Sequence, residues 1–319
     1  MVTRTNATDA GPSVDIVAAL DEESSTDAIH LASELNAQLH AVVTSTWKST
    51  GEVGGHVLGP VAGATVLLVA RFRPQVQDRL IRSLLILRGL RLAGAARIIL
   101  LAPLLPYARS DRAEHENQVA GSTLVQELLR FAGVDRMITF EQHTSDAVES
   151  GWLVSIDTSE ILLSRLLERA RAADDEVRVV LPDQGAADRY AGVLDSMGVR
   201  GFMIPKLRLS DSSVRLDFSA VTESPKSVIV LDDAVFTGGT HAAVASHLRS
   251  TGTTEVHLAV THLAAGPSTL RSLASSGIAA VSHFSTCSDA SGTFRGMVVE
   301  ALHWRHDRSV MSHILEALN

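Results

Sequence analysis

Cysteine is nearly missing from this chain of 319 residues, and so are an excess of positive charge and any long apolar run. The single Cys287 excludes an internal disulfide and a cysteine-rich metal site, and it suits a reducing cytosol, so a cytoplasmic location is expected. Lys and Arg number 28 against 36 Asp and Glu, for a net charge of −8. Nucleic-acid binding therefore has no bulk electrostatic support, and a polyphosphate substrate would have to meet local cations or Mg²⁺. No apolar stretch approaches the roughly 18 residues of a membrane span, so no membrane partner is expected. Residues 1–13 are polar and lack the apolar centre of a signal peptide; a disordered tail is expected there. The hydrophobic content of 45% is ample for real cores, and the length suits two domains of about 150 residues each.

Short apolar, β-branched runs at 14–20, 41–46, 65–70, 97–101 and 137–140 read as strands, and the spacing predicts helices over 26–39, 76–93 and 122–132. A second cycle follows, with helices over 159–173, 186–197 and 308–318 and strands at 177–181, 201–204, 228–231, 255–261 and 279–283. Residues 51–63 form a glycine-rich connection, and 211–225 is polar enough to be an exposed loop. Strands alternating with helices predict an α/β chain: two tandem domains, each a mainly parallel sheet with helices on both faces. No low-complexity linker marks the boundary. It is placed near 150–158, giving domains of 14–155 and 156–319, with the last helix a candidate to pack on the first domain.

One stretch organises the chemistry. The strand Val228 to Leu231 runs into Asp232 and Asp233, then into Thr237-Gly238-Gly239-Thr240 and a helix with Val244 and Leu248 on one face and Gly252 beyond its end. Glycines let backbone N–H groups approach a phosphate, threonine hydroxyls add donors, and a helix N-terminus contributes positive charge. The acids suit sugar hydroxyls, directly or through Mg²⁺. The plain alternative is a turn whose Thr and Asp cap the helix. Two acids at a strand end, where open α/β sheets bind ligands, favour a phosphosugar. It is not a Walker A loop, because Gly-Lys-Ser/Thr is absent.

Other candidates are weaker alone. Asp183 ends a strand and Gly185 begins a turn, with Arg189 one helical turn on, where a phosphate could meet it. Lys206 and Arg208 alternate on an extended segment, so both would face one side. Tyr107, Arg109, Ser110, Asp111 and Arg112 follow a strand ended by prolines; surface salt bridging is the plain alternative there. Glu141-Gln-His143 closes another strand, and a neutral His beside a carboxylate can hold a divalent cation. With 13 His in the chain, a structural role is equally available.

Taken in order, from residue 73 to 261, these motifs resemble those of ribose-phosphate diphosphokinases, the PRPP synthetases, whose pentose loop is shared with type I phosphoribosyltransferases. The resemblance implies two phosphoribosyltransferase-like domains, transfer of the β,γ-diphosphate of Mg-ATP to C1 of ribose 5-phosphate, and a homo-oligomer, often a hexamer. By resemblance, Arg109, Ser110 and Asp111 contact ATP, and His143 and Asp183 assist Mg²⁺. Asp183 and Gly185 open the diphosphate loop, and Lys206 and Arg208 stabilise the transition state. Asp232, Asp233, Thr237, Gly238, Gly239 and Thr240 hold the pentose phosphate. Gly51-Glu52 faintly echoes a segment that holds adenine. The chain departs from the pattern at Phe236, where most of the family has Asp, at Ala186 for a second Gly, and at Ser110 for Gln. Trp47 or Lys48 stands near the place of an adenine-stacking Phe. Two alternatives stay open: a non-catalytic regulatory paralogue, and a phosphoribosyltransferase that consumes PRPP.

Overall fold

A computed structural model describes residues 14–47, 49–72, 75–108, 110, 120–142, 150–172, 177–210, 213–218 and 225–319. The tail expected at 1–13 lies outside them, as do Lys48, Arg109, Asp111, Arg112, His143 and much of the loop expected at 211–225. The chain divides into two compact units, one of residues 1–156 with 305–319 and one of residues 157–304.

In the first unit the elements run β1 (Ile16–Ala19), α1 (Glu22–Glu34), β2 (Gln38–Thr46), β3 (Val53–Leu58), β4 (Thr65–Val69), α2 (Val76–Leu92), β5 (Arg97–Leu101), α3 (Gly121–Ala132), β6 (Arg136–Phe140) and β7 (Leu153–Ile156). They form a seven-stranded sheet in the order β3-β2-β1-β4-β5-β6-β7. Every pairing is parallel except the hairpin of β2 with β3. Val66 to Val69 and Ile98 to Leu101 are wholly buried, the unbroken apolar run expected of strands covered on both faces.

Two departures from the expected elements have clear causes. Helix α1 starts at Glu22, because the Asp21 carboxylate accepts the Ser24 N–H at 2.9 Å and caps it there. It ends early at Glu34, the chain turning at Asn36 with a φ of 50° that Asn tolerates, and Gln38 to His40 then pair with Ile16 to Ala18. The glycine-rich connection contains strand β3. A Cβ on Gly55 would stand 2.7 Å from the Ile86 side chain of α2, so glycine is what allows the helix to lie this close.

The second unit comprises α4 (Ser159–Ala172), β8 (Val177–Leu181), α5 (Gln184–Ser196), β9 (Gly201–Met203), the hairpin β10 (Lys206–Ser210) and β11 (Ser213–Leu216), β12 (Ser227–Val235), α6 (Gly239–Ser250), β13 (Glu255–Leu263), α7 (Pro267–Ser275), β14 (Ala280–Phe284), β15 (Gly292–Phe294) and β16 (Met297–Leu302). Its seven-stranded sheet has the order β15-β16-β14-β13-β12-β8-β9, parallel but for β15 with β16. Strands β7, β15 and β16 and helix α7 were not expected from the sequence, and β11 stands within the loop expected at 211–225, where pairing with β10 holds it extended.

The chain closes with α8 (Arg308–Leu318), which belongs to the first unit. Asp307 caps its start by accepting the N–H groups of Ser309 and Val310. Arg136 and Arg97, on β6 and β5, donate to its last carbonyls at Ala317 and Leu318, placing cations at the negative end of the helix. Among the described residues, no helix is long and apolar enough to cross a membrane.

Candidate functional site

Strand β12 does not stop before the acids. It continues through Asp232 and Asp233 to Val235, with Asp232 in register with Val260 and Ala234 with His262 of β13. The sequence shows only the apolar part of this strand, since carboxylates read as loop until a neighbouring strand holds them in the ladder. Successive residues of a strand leave it on opposite faces, so the two acids start toward different helices, yet their carboxyls stay close enough to interact.

Each acid meets a basic side chain from the helix on its own side. Asp232 Oδ2 lies 2.9 Å from Nε2 of His241, in the first turn of α6, and Asp232 Oδ1 accepts the Asp233 N–H at 2.9 Å. Asp233 Oδ2 lies 2.7 Å from Nη1 of Arg189, in α5. His241 is buried, and its Nδ1 has no hydrogen-bond partner among the described residues. Burial, then the negative charge of Asp232, push the Asp233 carboxyl up to about 6, with Arg189 pulling the other way. Burial pulls the Arg189 guanidinium down, but Asp233 and Tyr190 outweigh it and leave it raised. Arg189 thus rests on a carboxylate where a phosphate contact was expected. His241 was missed altogether, since a lone His in a helix carries no signal until the parity of β12 aims Asp232 at it.

The loop after β12 is open for an anion. Gly238 takes φ 70° as the N-cap of α6, and among the described residues no side-chain hydrogen bond caps that helix. Thr237 and Gly239 are exposed and Thr240 is half-buried. The two glycines differ in function. A Cβ on Gly238 would meet Thr269 at 2.9 Å and Leu273 at 3.1 Å, so this glycine serves the packing of α7. A Cβ on Gly239 would meet nothing within 4 Å, so this residue faces open space. An uncapped N-terminus with an open approach suits a phosphate. Phe236 stands half-buried between the acids and this loop, its carbonyl accepting the Thr269 hydroxyl at 3.4 Å.

Strand β8 is the parallel neighbour of β12, so the turn after it lies beside the acids. Asp183 is the N-cap of α5 and accepts the Ala186 N–H at 2.9 Å. The helix therefore begins at Gln184 and not at Ala186, and Gly185 is exposed in its first turn. The Ala186 methyl is buried, so it offers no obstacle on the solvent side. Lys206 and Arg208 sit on β10, in register with Leu216 and Val214 of β11; their side chains lie outside the described residues.

The remaining candidates belong to the first unit and are described apart. The Ser110 hydroxyl oxygen accepts the Gly121 N–H at 3.0 Å, stapling the start of α3. Arg109, Asp111 and His143 lie outside the described residues. Tyr107, at φ 63°, and Glu141, at φ 55°, hold left-handed backbone where these two motifs begin. Such strain in non-glycine residues gathers at functional segments. Gly51 and Glu52 fill the turn between β2 and β3, where the Thr50 hydroxyl donates to the Glu52 carboxylate at 2.9 Å.

Carboxylate oxygens are hard donors suited to Mg²⁺, and the fit can be judged oxygen by oxygen. Asp232 has both oxygens engaged, Asp233 carries a guanidinium, and Asp183 gives one oxygen to its helix. Among the described residues no three His, Cys, Asp or Glu gather as a cation would require. The acid pair as built does not form a cation site.

Residues 20–133 match the family of the N-terminal domain of ribose phosphate pyrophosphokinase. The chain is 28% identical to ribose-phosphate pyrophosphokinase 1 of Lactococcus lactis over 73% of its own length and 72% of that protein's. It is 30% identical to the ribose-phosphate pyrophosphokinase of Deinococcus radiodurans over 62% of each chain. Among solved structures, the phosphoribosylpyrophosphate synthetase of Mycobacterium smegmatis is similar with a TM-score of 0.79 and 25% identity, covering 95% of this chain and 98% of that one.

Proposed function

The chain belongs to the ribose-phosphate pyrophosphokinase family, and on that premise we propose that it makes PRPP from Mg-ATP and ribose 5-phosphate. The C1 hydroxyl oxygen of the sugar attacks the β-phosphorus of ATP. The bond from that phosphorus to the oxygen it shares with the α-phosphate breaks, AMP leaves, and the hydroxyl proton passes to solvent. Mg²⁺ arrives as part of the nucleotide substrate, and the resemblance assigns Asp183 and His143 to assist it.

The observation that carries this reading is the junction at the end of β12. There an acid pair for the sugar adjoins a helix N-terminus that no side-chain hydrogen bond caps among the described residues. Asp232 and Asp233 accept from sugar hydroxyls, while Thr237 to Thr240 take the 5-phosphate through backbone and hydroxyl donors. Lys206 and Arg208 neutralise charge that develops as the diphosphate transfers, which lowers the barrier without tightening ground-state binding. Assembly as a homo-oligomer is part of the same proposal.

Phe236 favours a second reading, a non-catalytic partner of a true synthetase, because its ring offers no acceptor to the sugar. Incubating the purified protein with Mg²⁺, ATP and ribose 5-phosphate decides between them. AMP and PRPP formed in equal amounts support the enzyme; binding of both substrates without either product supports the non-catalytic partner.

A further inference from the structure

We infer that the acid pair of β12 takes the sugar hydroxyls directly, with Arg189 as a built-in countercharge and His241 as a hydrogen-bond donor, so that ribose 5-phosphate binds here without a divalent cation. The inference rests on the phosphosugar reading of this site and goes beyond it by naming how charge is balanced.

Three observations carry it. First, each acid is already met by a partner from a different helix, Asp232 by His241 at 2.9 Å and Asp233 by Arg189 at 2.7 Å. One cation drawing on both would have to displace partners contributed by two different helices, α6 and α5. Second, Mg²⁺ demands a near-octahedral oxygen shell at about 2.0–2.1 Å, and a guanidinium on one of those carboxylates cannot give up its proton to relieve the repulsion. Third, a carboxylate has about four lone-pair positions, so a sugar hydroxyl can donate to one that remains without breaking either existing contact. The partners that obstruct a metal leave a neutral donor room to add.

His241 also has a fixed part in this arrangement. Its Nε2 faces a carboxylate oxygen, so that nitrogen carries the proton and donates. Donation holds Asp232 in place, with its other oxygen on the Asp233 N–H, and orients the carboxylate before any sugar arrives. His241 is accordingly a positioning residue.

The test is calorimetric titration of the full-length protein with ribose 5-phosphate, once in EDTA and once in saturating Mg²⁺, with no nucleotide present. Equal affinity in the two buffers, within about twofold, is the expected result. Binding that is about tenfold or more tighter with Mg²⁺ overturns the inference while leaving the phosphosugar reading intact. No heat in either buffer, with the fold intact by circular dichroism, overturns that reading and the inference with it. Arg189→Met sharpens the result: with its countercharge gone, binding should weaken in EDTA and recover with Mg²⁺, whereas Arg189→Lys should stay indifferent to the metal. A methionine variant as indifferent to Mg²⁺ as the parent would count against Arg189 as the countercharge.

Discussion

The two units carry one strand order twice. In the first, β2-β1-β4-β5-β6-β7 follow each other across the sheet; in the second, β9-β8-β12-β13-β14-β16 occupy the corresponding places. Even the first turn is repeated, with Asp21 after β1 and Asp183 after β8 each capping the next helix. The units differ where the central strand ends. In the first unit β4 leads to Arg71, which is wholly buried and held by Asp27 through two hydrogen bonds of 2.5 and 2.8 Å. Arg305 adds a third contact to Asp27 at 3.0 Å. In the second unit β12 carries two half-buried acids near its end, followed by a Thr-Gly loop exposed at Thr237 and Gly239. The same backbone thus closes its strand end with a satisfied ion cluster in one unit and leaves it open for a ligand in the other. A fold places a site at the strand ends; side chains decide whether it is used.

The comparison can be broken first at the closed end. Asp27→Ala removes the buried carboxylate shared by Arg71 and Arg305, and losing one partner of a buried pair costs about 3–5 kcal/mol. Denaturant unfolding should show that loss, while substituting Asp232 should cost far less stability. Equal losses at the two positions would mean that both clusters are structural.

Next comes the phosphate loop. Gly239→Val should lower ribose 5-phosphate affinity by about tenfold or more with the melting temperature unchanged, since a side chain there meets only ligand space. Gly238→Ala should instead cost about 1–2 kcal/mol of stability, from its left-handed backbone and the contact with α7. If Gly239→Val binds ribose 5-phosphate normally in calorimetry, the loop is a helix start and nothing more.

Phe236 probes how far the second unit has diverged. An unmade buried hydrogen bond costs about 1–3 kcal/mol, so Phe236→Asp should raise kcat/KM for ribose 5-phosphate roughly tenfold. Steady-state kinetics of both forms at saturating Mg-ATP check this. An aspartate variant no better than its parent marks Phe236 as a tolerated substitution.

The smallest effect is a pH dependence. The Asp233 carboxyl sits at about 6 against an ordinary 3.8. A carboxyl raised on folding stabilises the folded state below its unfolded value and loses that contribution as pH rises through the folded one. Between about pH 4 and 6 the parent should therefore lose stability relative to Asp233→Asn, most clearly in melting temperatures compared at both ends of that window. Parallel curves for the two proteins would contradict the strained acid.

Much of this was legible beforehand, for reasons that particular residues make plain. Strands β5 and β8 have the bounds expected of them, because Ile98 to Leu101 and Val179 to Leu181 are apolar runs with abrupt ends. The end of β12 was not legible, because Asp232 and Asp233 owe their strand conformation to β13 and not to their own propensity. Strand β3 was hidden by Gly54 and Gly55, which the Trp47 ring and the Ile86 side chain require at close approach. At the site, the acids and the Thr-Gly loop could be read along the chain. Their partners were less legible: Arg189 was read as a phosphate contact and not as the partner of Asp233, and His241 was not read at all, because the two come from separate helices.

The central claim is that ribose 5-phosphate is held at the end of β12 and not at the equivalent end of β4. Hydrogen–deuterium exchange of the full-length protein with and without ribose 5-phosphate tests it most directly. The account predicts slowed exchange across residues 236–242 and at the α5 start around residue 184, with residues 20–26 and 69–76 unchanged. Protection confined to the first unit, or none at residues 236–242 under saturating sugar phosphate, would contradict it.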